Sequence, residues 1–347
     1  MAMSQTAPDR PPTIDEWRAL YDAALKFRDL ACWQWLYDSD IIGVENPESG
    51  EIGYCSVMGR NGQHFALAAH RGTPGLLAAL QIYSGQAKPS APEAPLLLDC
   101  LMASFEDREA LRTEDLQAIR YLGLKFRGAN AWPLFRDYHP GDFPWLISGA
   151  QARYLTLALE QTLDVAPRFR DGRELPGPEA REHLVRVRSA DGAWTDEYRA
   201  PAMPPVETLF TVEPVNEVRI EKVRSRVKAR TGDWEADAFH HFDPVQDKRG
   251  GRPYYPYILA VAAAETGLVL SFAASRRGDH VNDFRDALLD AFESAGALPV
   301  QIHYAQTTVA DVLRPVTDRL AIELKRAKAL PAAWEFRDNL QKQRLQR

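Results

Sequence analysis

The densest set of side chains able to do chemistry is Glu235-Ala-Asp237-Ala-Phe239-His-His241-Phe-Asp243. On a strand, alternate residues share a face, so Glu235, Asp237, His241 and Asp243 are expected to point one way. Trp234, Ala236, Ala238 and Phe242 then point the other way, toward covering helices. Carboxylate oxygens and an imidazole on one face are reasonable ligands for Mn²⁺ or Zn²⁺. The chemistry would be metal-assisted phosphodiester cleavage with Asp237 at its centre. The plainer reading is a solvated polar face with His241 and Asp243 in the following turn, because the alternation matches no motif.

A second pattern could bind. In Arg219-Ile-Glu-Lys222-Val-Arg224-Ser-Arg226-Val-Lys228-Ala-Arg230, five cations from Lys222 to Arg230 occupy every second position. Read as a strand they form one positive stripe about 27 Å long at ~3.3 Å per residue. Such a stripe can follow the phosphates of a nucleic acid, with affinity falling steeply in salt, or meet an acidic protein partner. It is equally an edge strand whose charges discourage sheet-to-sheet pairing. A third pattern is the segment Trp132 to Trp145, expected as a loop. It holds five aromatics, among them Trp132, Phe135, Tyr138 and Trp145, and three prolines. Exposed, it would be a docking surface or a platform for stacking bases; buried, it would cap a core.

Several chemistries are excluded or weakened. There is no Gly-x-x-x-x-Gly-Lys-[Ser/Thr] phosphate loop and no Gly-x-Ser-x-Gly elbow. Cys55 with His64 or His70 is a conceivable thiol–imidazole pair, but a small cysteine buried in a sheet is the simpler reading. Cys32, Cys55 and Cys100 are odd in number and lack metal-ligand spacing, which argues against a disulfide framework and for a reducing, cytoplasmic setting. No cofactor is evident, apart from a divalent metal under the cleavage reading. The opening MAMSQTAPDRPP has no apolar core of the signal-peptide kind, and no apolar run approaches the ~18 residues that suggest a membrane span.

The elements that must position these residues follow from period and punctuation. The 347 residues, 45% hydrophobic and 26% charged, suit two domains with real cores. Net charge is −6, but from Val215 onward Lys and Arg number 21 against 18 Asp and Glu, so the back half is slightly basic and the front acidic. After a disordered tail over 1–12, Thr13-Ile-Asp-Glu16 is a capping box that opens a helix over 14–31. Three short apolar runs over 41–44, 52–58 and 64–68 predict an antiparallel meander. A helix is expected to open at Gly72-Thr73-Pro74, with Thr73 as cap. A strand is expected over 96–105, helices over 113–122 and 148–169, and strands within 183–199. The α+β front domain thus spans 13–199, followed by a linker at 200–216. The back domain, 217–347, shows strands at 219–230, 234–242, 257–264 and 268–274. Then come helix 281–294, strand 300–304, helix 309–320, strand 321–325 and helix 331–343, which together make a mixed α/β sheet covered by helices.

The stretches Trp33-Gln34-Trp35-Leu36, Gly53-Tyr54-Cys55-Ser56-Val57-Met58-Gly59, Trp132-Pro133-Leu134-Phe135 and Arg252-Pro253-Tyr254-Tyr255-Pro256 resemble a bacterial two-domain family of unknown function. That resemblance implies no activity. The back-half element order is similar to the ribonuclease-H-like fold, which implies paired metals held by acids on the first strand, the fourth strand and a late helix. Asp237 matches the first of these. The fourth strand, Gln301-Ile302-His303-Tyr304-Ala305-Gln306, has no carboxylate. The sequence therefore favours a non-catalytic binding protein using Lys222–Arg230 and the Trp132–Trp145 segment. The alternative is a metal-dependent phosphodiesterase or nuclease centred on Asp237, helped by Glu235, His241 or Asp243.

Overall fold

A computed structural model describes residues 10–85, 93–170, 175–177, 180–202 and 214–342. They group into two compact units, one from the front of the chain and one from its back half together with Gly141–Phe143. The tail over 1–12 and the linker over 200–216 lie mostly outside the described residues.

In the front unit, α1 (Ile14–Leu30) starts as its sequence requires. The Thr13 hydroxyl accepts from the Glu16 amide, and the Glu16 carboxylate accepts from the Thr13 amide. Arg10 and Arg153 also close on Glu16, holding its carboxyl well below the usual carboxylate range. Seven strands follow: β1 (Ile42–Glu45), β2 (Ile52–Met58), β3 (Phe65–Arg71), β4 (Cys100–Glu106), β5 (Trp132–Tyr138), β6 (His183–Arg188) and β7 (Trp194–Arg199). They form one sheet in the order β5-β4-β3-β2-β1-β6-β7. Every pairing is antiparallel except β1 with β6, which is parallel.

The interiors of β2, β3 and β4 are buried at every position, because both faces of the sheet are covered. On one face, α1 and α5 (Gly149–Val165) bring Leu20, Phe27, Leu155 and Leu159 against Val57, Leu67 and Phe105. On the other, α2 (Gly72–Tyr83) packs Leu76 against Ile41 and Tyr54. The α2 cap differs from expectation. Arg71 occupies the cap position, and the Thr73 hydroxyl donates instead to the Ala202 carbonyl at 2.6 Å. The start of the strand expected at 96 is a short helix, α3 (Ala94–Leu97), since Pro95 suits a first helical turn; pairing begins only at Cys100. Helix α4 (Thr113–Tyr121) lies where it was expected. The segment from Trp132, expected as a loop, is largely β5, at the edge of the sheet.

In the back unit, α6 (Glu217–Arg226) and β8 (Ala229–Arg230) precede β9 (Asp233–His240), β10 (Tyr257–Ala263) and β11 (Val269–Ser275). Then come α7 (His280–Ala295), β12 (Ala297–Leu298), β13 (Gln301–Tyr304), α8 (Thr307–Arg319), β14 (Glu323–Arg326) and α9 (Pro331–Lys342). The main sheet runs β11-β10-β9-β13-β14, antiparallel among the first three and parallel from β9 onward. One face packs Trp234, Ala236 and Ala238 against Phe284, Phe292 and Leu313 of α7 and α8. The other packs Phe239, Ile258 and Ala260 against Phe336 and Leu340 of α9.

The strand expected over 219–230 is a correction: most of it is α6. Ile220, Val223 and Val227 recur at helical intervals and are all buried, and the Asn216 side chain accepts from the Arg219 amide as a cap. Burial of that apolar stripe decides the conformation, and the alternating cations follow it.

One close approach tests the front core. A Cβ at Gly53 would land on the Tyr154 hydroxyl, which donates to the Val44 carbonyl at 2.8 Å. Gly53→Ala is expected to cost about 1–3 kcal/mol by overpacking and by displacing that bond. Urea unfolding followed by circular dichroism checks it through a lowered midpoint at unchanged slope.

Candidate functional site

Glu235 and Asp237 share a face of β9, as the alternation required, and that face lies under α9 rather than in solvent. They are 5% and 1% exposed. Each therefore needs a partner. Glu235 Oε2 accepts from the Ala333 amide at 3.0 Å, one of the free donors in the first turn of α9. Asp237 Oδ2 lies 3.4 Å from Arg337 Nη1, and Gln306 Nε2 donates to the Ala238 carbonyl at 2.7 Å while reaching Asp237 Oδ1 at 3.5 Å. Burial raises the Asp237 pKa and the Arg337 cation works against that rise. His241 and Asp243 lie beyond the strand and face each other at 3.5 Å. The position facing Asp237 from α9 is thus a guanidinium. Among the described residues, no group of three or more His, Cys, Asp or Glu is placed to hold one metal ion.

The five cations of the ladder do not form a straight stripe. Lys222 and Arg226 lie one helical turn apart on α6, with Lys222 Nζ 3.5 Å from Glu293. Arg224 pairs with Glu221 and donates to the Arg319 carbonyl at 2.6 Å. Lys228 Nζ donates to the Arg224 carbonyl at 2.9 Å, and Arg230 donates to the carbonyls of Leu320 at 2.9 Å and Ala321 at 3.1 Å. The cations thus answer carbonyls left open where α6 and α8 end, the places where the helix dipole favours positive charge. Arg224, Lys228, Arg230 and Arg319 also line a hollow of about 250 Å³ floored by Val227, Leu298 and Leu320.

The aromatic segment is built into the fold. Phe135, 3% exposed, meets Tyr21 edge-on at 5.1 Å and Trp17 at 6.0 Å. Trp132 packs on Phe126 at 5.7 Å, the Arg112 guanidinium lies 4.4 Å over Trp145, and Tyr138 packs beside Cys100 and Met102. These four rings have places in the front unit, and the fifth, Phe143, belongs to the back unit, where it meets Tyr255 at 5.9 Å.

Sequence reasoning missed two polar clusters. Ser56 Oγ, His70 Nε2 and Tyr83 Oη meet at 3.1, 2.7 and 3.0 Å on the α2 face of the sheet. Cys55 belongs to the core on the opposite face, so the thiol–imidazole pair with His70 does not form. Burial pushes the thiols of Cys32, Cys55 and Cys100 up to about 12, so they are not poised as nucleophiles. The second cluster joins Arg71 to Asp99 at 2.7 Å and to Asp137, with His139 at 3.3 Å from Asp99 and 3.6 Å from Asp137. The only sequence signal for either was polar residues inside apolar strand runs, and only the pairing register brings them together.

Residues 17–186 match a family model described as Domain of unknown function (DUF7309), and residues 219–341 one described as Domain of unknown function (DUF6930). One lies toward the front of the chain and the other in its back part, as the resemblance to an uncharacterised two-domain family implied. No curated protein matches the chain. Among the described residues no helix is long and apolar enough to cross a membrane.

Two outcomes follow from these environments. Arg337→Ala leaves Asp237 buried without its cation and is expected to cost about 1–2 kcal/mol, less than a fully buried pair because Arg337 is partly exposed. Adding Asp237→Asn is expected to recover most of that loss in a double-mutant cycle of denaturation midpoints. His70 has its pKa pushed down to about 4, from an ordinary 6.5, by burial. The unfolded chain therefore takes up that proton first. Stability should be full above pH 6.5 and fall as pH drops toward 4, and the curve should be flatter in His70→Gln when melting temperature is measured against pH.

Proposed function

We propose that this chain, two domains each matching a family of unknown function, acts by binding, and that the cation-lined hollow of the back unit receives carboxylates of an acidic protein partner. The observation that carries the reading is the convergence of Arg224, Lys228, Arg230 and Arg319 on one 250 Å³ hollow with an apolar floor. A straight stripe would suit a phosphate backbone. A compact cluster flanked by Glu217 and Glu221, which pair with Arg319 and Arg224, suits single carboxylate side chains better and disfavours a polyphosphate.

The strand order β11-β10-β9-β13-β14 supports a ribonuclease-H-like reading of the back unit. The cleavage alternative has less in its favour. Asp237 is paired with Arg337, Glu235 receives the first turn of α9, and the neighbour at the end of β13 is Gln306. A shared fold does not carry an activity with it.

The test is fluorescence anisotropy with a labelled polyglutamate peptide, beside labelled single- and double-stranded DNA and RNA, at low and moderate salt. The peptide is expected to bind and weaken with salt, and Lys228→Glu combined with Arg224→Glu, both lining the hollow, should lower its affinity about tenfold. No peptide binding at low salt would sink the proposal. Tighter binding of nucleic acid than of the peptide, lost in the same variant, would transfer the hollow to phosphate.

A further inference from the structure

A hollow of about 290 Å³ opens between α1 and α4 in the front unit. Ile14 and Trp17 line it from α1, and Glu114, Gln117 and Tyr121 from α4, spaced three or four residues apart and so on one face of each helix. Apolar surface stays open there: Ile14 is 55% exposed and Tyr121 77%. Trp17 is anchored from inside, with Tyr21 at 6.1 Å and Phe135 at 6.0 Å. Its indole N–H is left over. Trp35 Nε1 donates to the Ala166 carbonyl at 2.9 Å, whereas Trp17 Nε1 meets no acceptor among the described residues and is not sealed from solvent. The side chains of Gln117 and Glu114, both exposed, likewise make no hydrogen bond or ion pair among the described residues.

We propose that this hollow receives a proline-rich segment of a partner protein in the polyproline II conformation, with a lysine or arginine beside the prolines. The unused indole N–H and side-chain amide decide between ligand backbones. A docked helix spends its carbonyls on its own amides and would leave both donors without acceptors. A polyproline II segment makes no internal hydrogen bonds, so its carbonyls are free to accept. A strand ligand needs a sheet edge to pair with, and the walls here are two helices. Prolines three residues apart lie on one side of such a segment, about 9 Å from each other at ~3.1 Å per residue. The rings of Trp17 and Tyr121 offer them apolar walls. Glu114, on the rim and in the acidic front of the chain, selects a cation next to the prolines. Because the ligand is ordered before it binds, a small surface suffices to hold it.

Fluorescence anisotropy of the full chain with a short labelled peptide, two Pro-x-x-Pro repeats ended by an arginine, tests this. Binding is expected at about 10–500 µM, as for a small interface. Tyr121→Ala removes an exposed wall without opening a core and should weaken binding about tenfold. Trp17→Phe keeps the packing on Tyr21 and Phe135, deletes the N–H and should weaken binding by a similar factor. Glu114→Lys should invert the charge preference, so that the same peptide ended by a glutamate binds better than the arginine form. The two surface substitutions keep the test decisive if Trp17→Phe fails to fold. No binding up to ~1 mM overturns the proposal. So does equal binding of a peptide of the same composition with its proline spacing scrambled, or binding that Tyr121→Ala and Glu114→Lys leave unchanged. Tighter, Tyr121-dependent binding of an amphipathic helical peptide also overturns it and gives the hollow to a helix.

Discussion

A carboxylate cannot be placed on the central strand of a covered sheet without a donor or a cation to meet it, and the back unit is arranged around that requirement. Glu235 and Asp237 project from β9 into the layer between sheet and α9, and α9 answers both, with a backbone amide at Ala333 and a guanidinium at Arg337. The helix is thereby fixed in register as well as in place. Its apolar side, Phe336 and Leu340 against Phe239 and Ile258, would tolerate sliding, whereas the two polar contacts would not. The residues most suggestive of metal chemistry in the sequence thus anchor the last helix.

The cations behave in the same way. Arg224, Lys228 and Arg230 answer carbonyl groups where α6 and α8 end, so their charge is used locally before it is available to any partner. What they leave to solvent is a compact basic hollow rather than a rail. Charge spacing along a sequence becomes charge spacing in space only once the backbone conformation is known, and here Ile220, Val223 and Val227 chose it.

Much of the fold was legible because strong local signals agreed with it. The Thr13–Glu16 capping box, the three-strand meander and the alternation of helix and strand after residue 280 all appear where periodicity placed them. The misreadings share a cause. At 219–230 a period-two pattern of charges coincided with a period near three and a half of apolar residues, and burial follows the apolar one. At 132–138 prolines and aromatics suggested a loop, yet Pro133 is tolerated because β5 is an edge strand. The clusters around Ser56 and Arg71 were hidden for a different reason. They depend on which strand lies beside which, a property no short window of sequence contains.

The one parallel pairing of the front sheet has a consequence for how the chain is made. β1 pairs on one side with β2, its neighbour in sequence, and on the other with β6, where Ile42 meets Leu184. During synthesis, α1, the meander and α2 emerge first and can fold together, while the far edge of β1 stays open until residue 184 has left the ribosome. That long-range closure sets a high contact order, and with it a slow final step. Over the same interval an unpaired strand edge is exposed to other nascent chains, so the front half is at greatest risk of misassociation while its own last strands are still being translated.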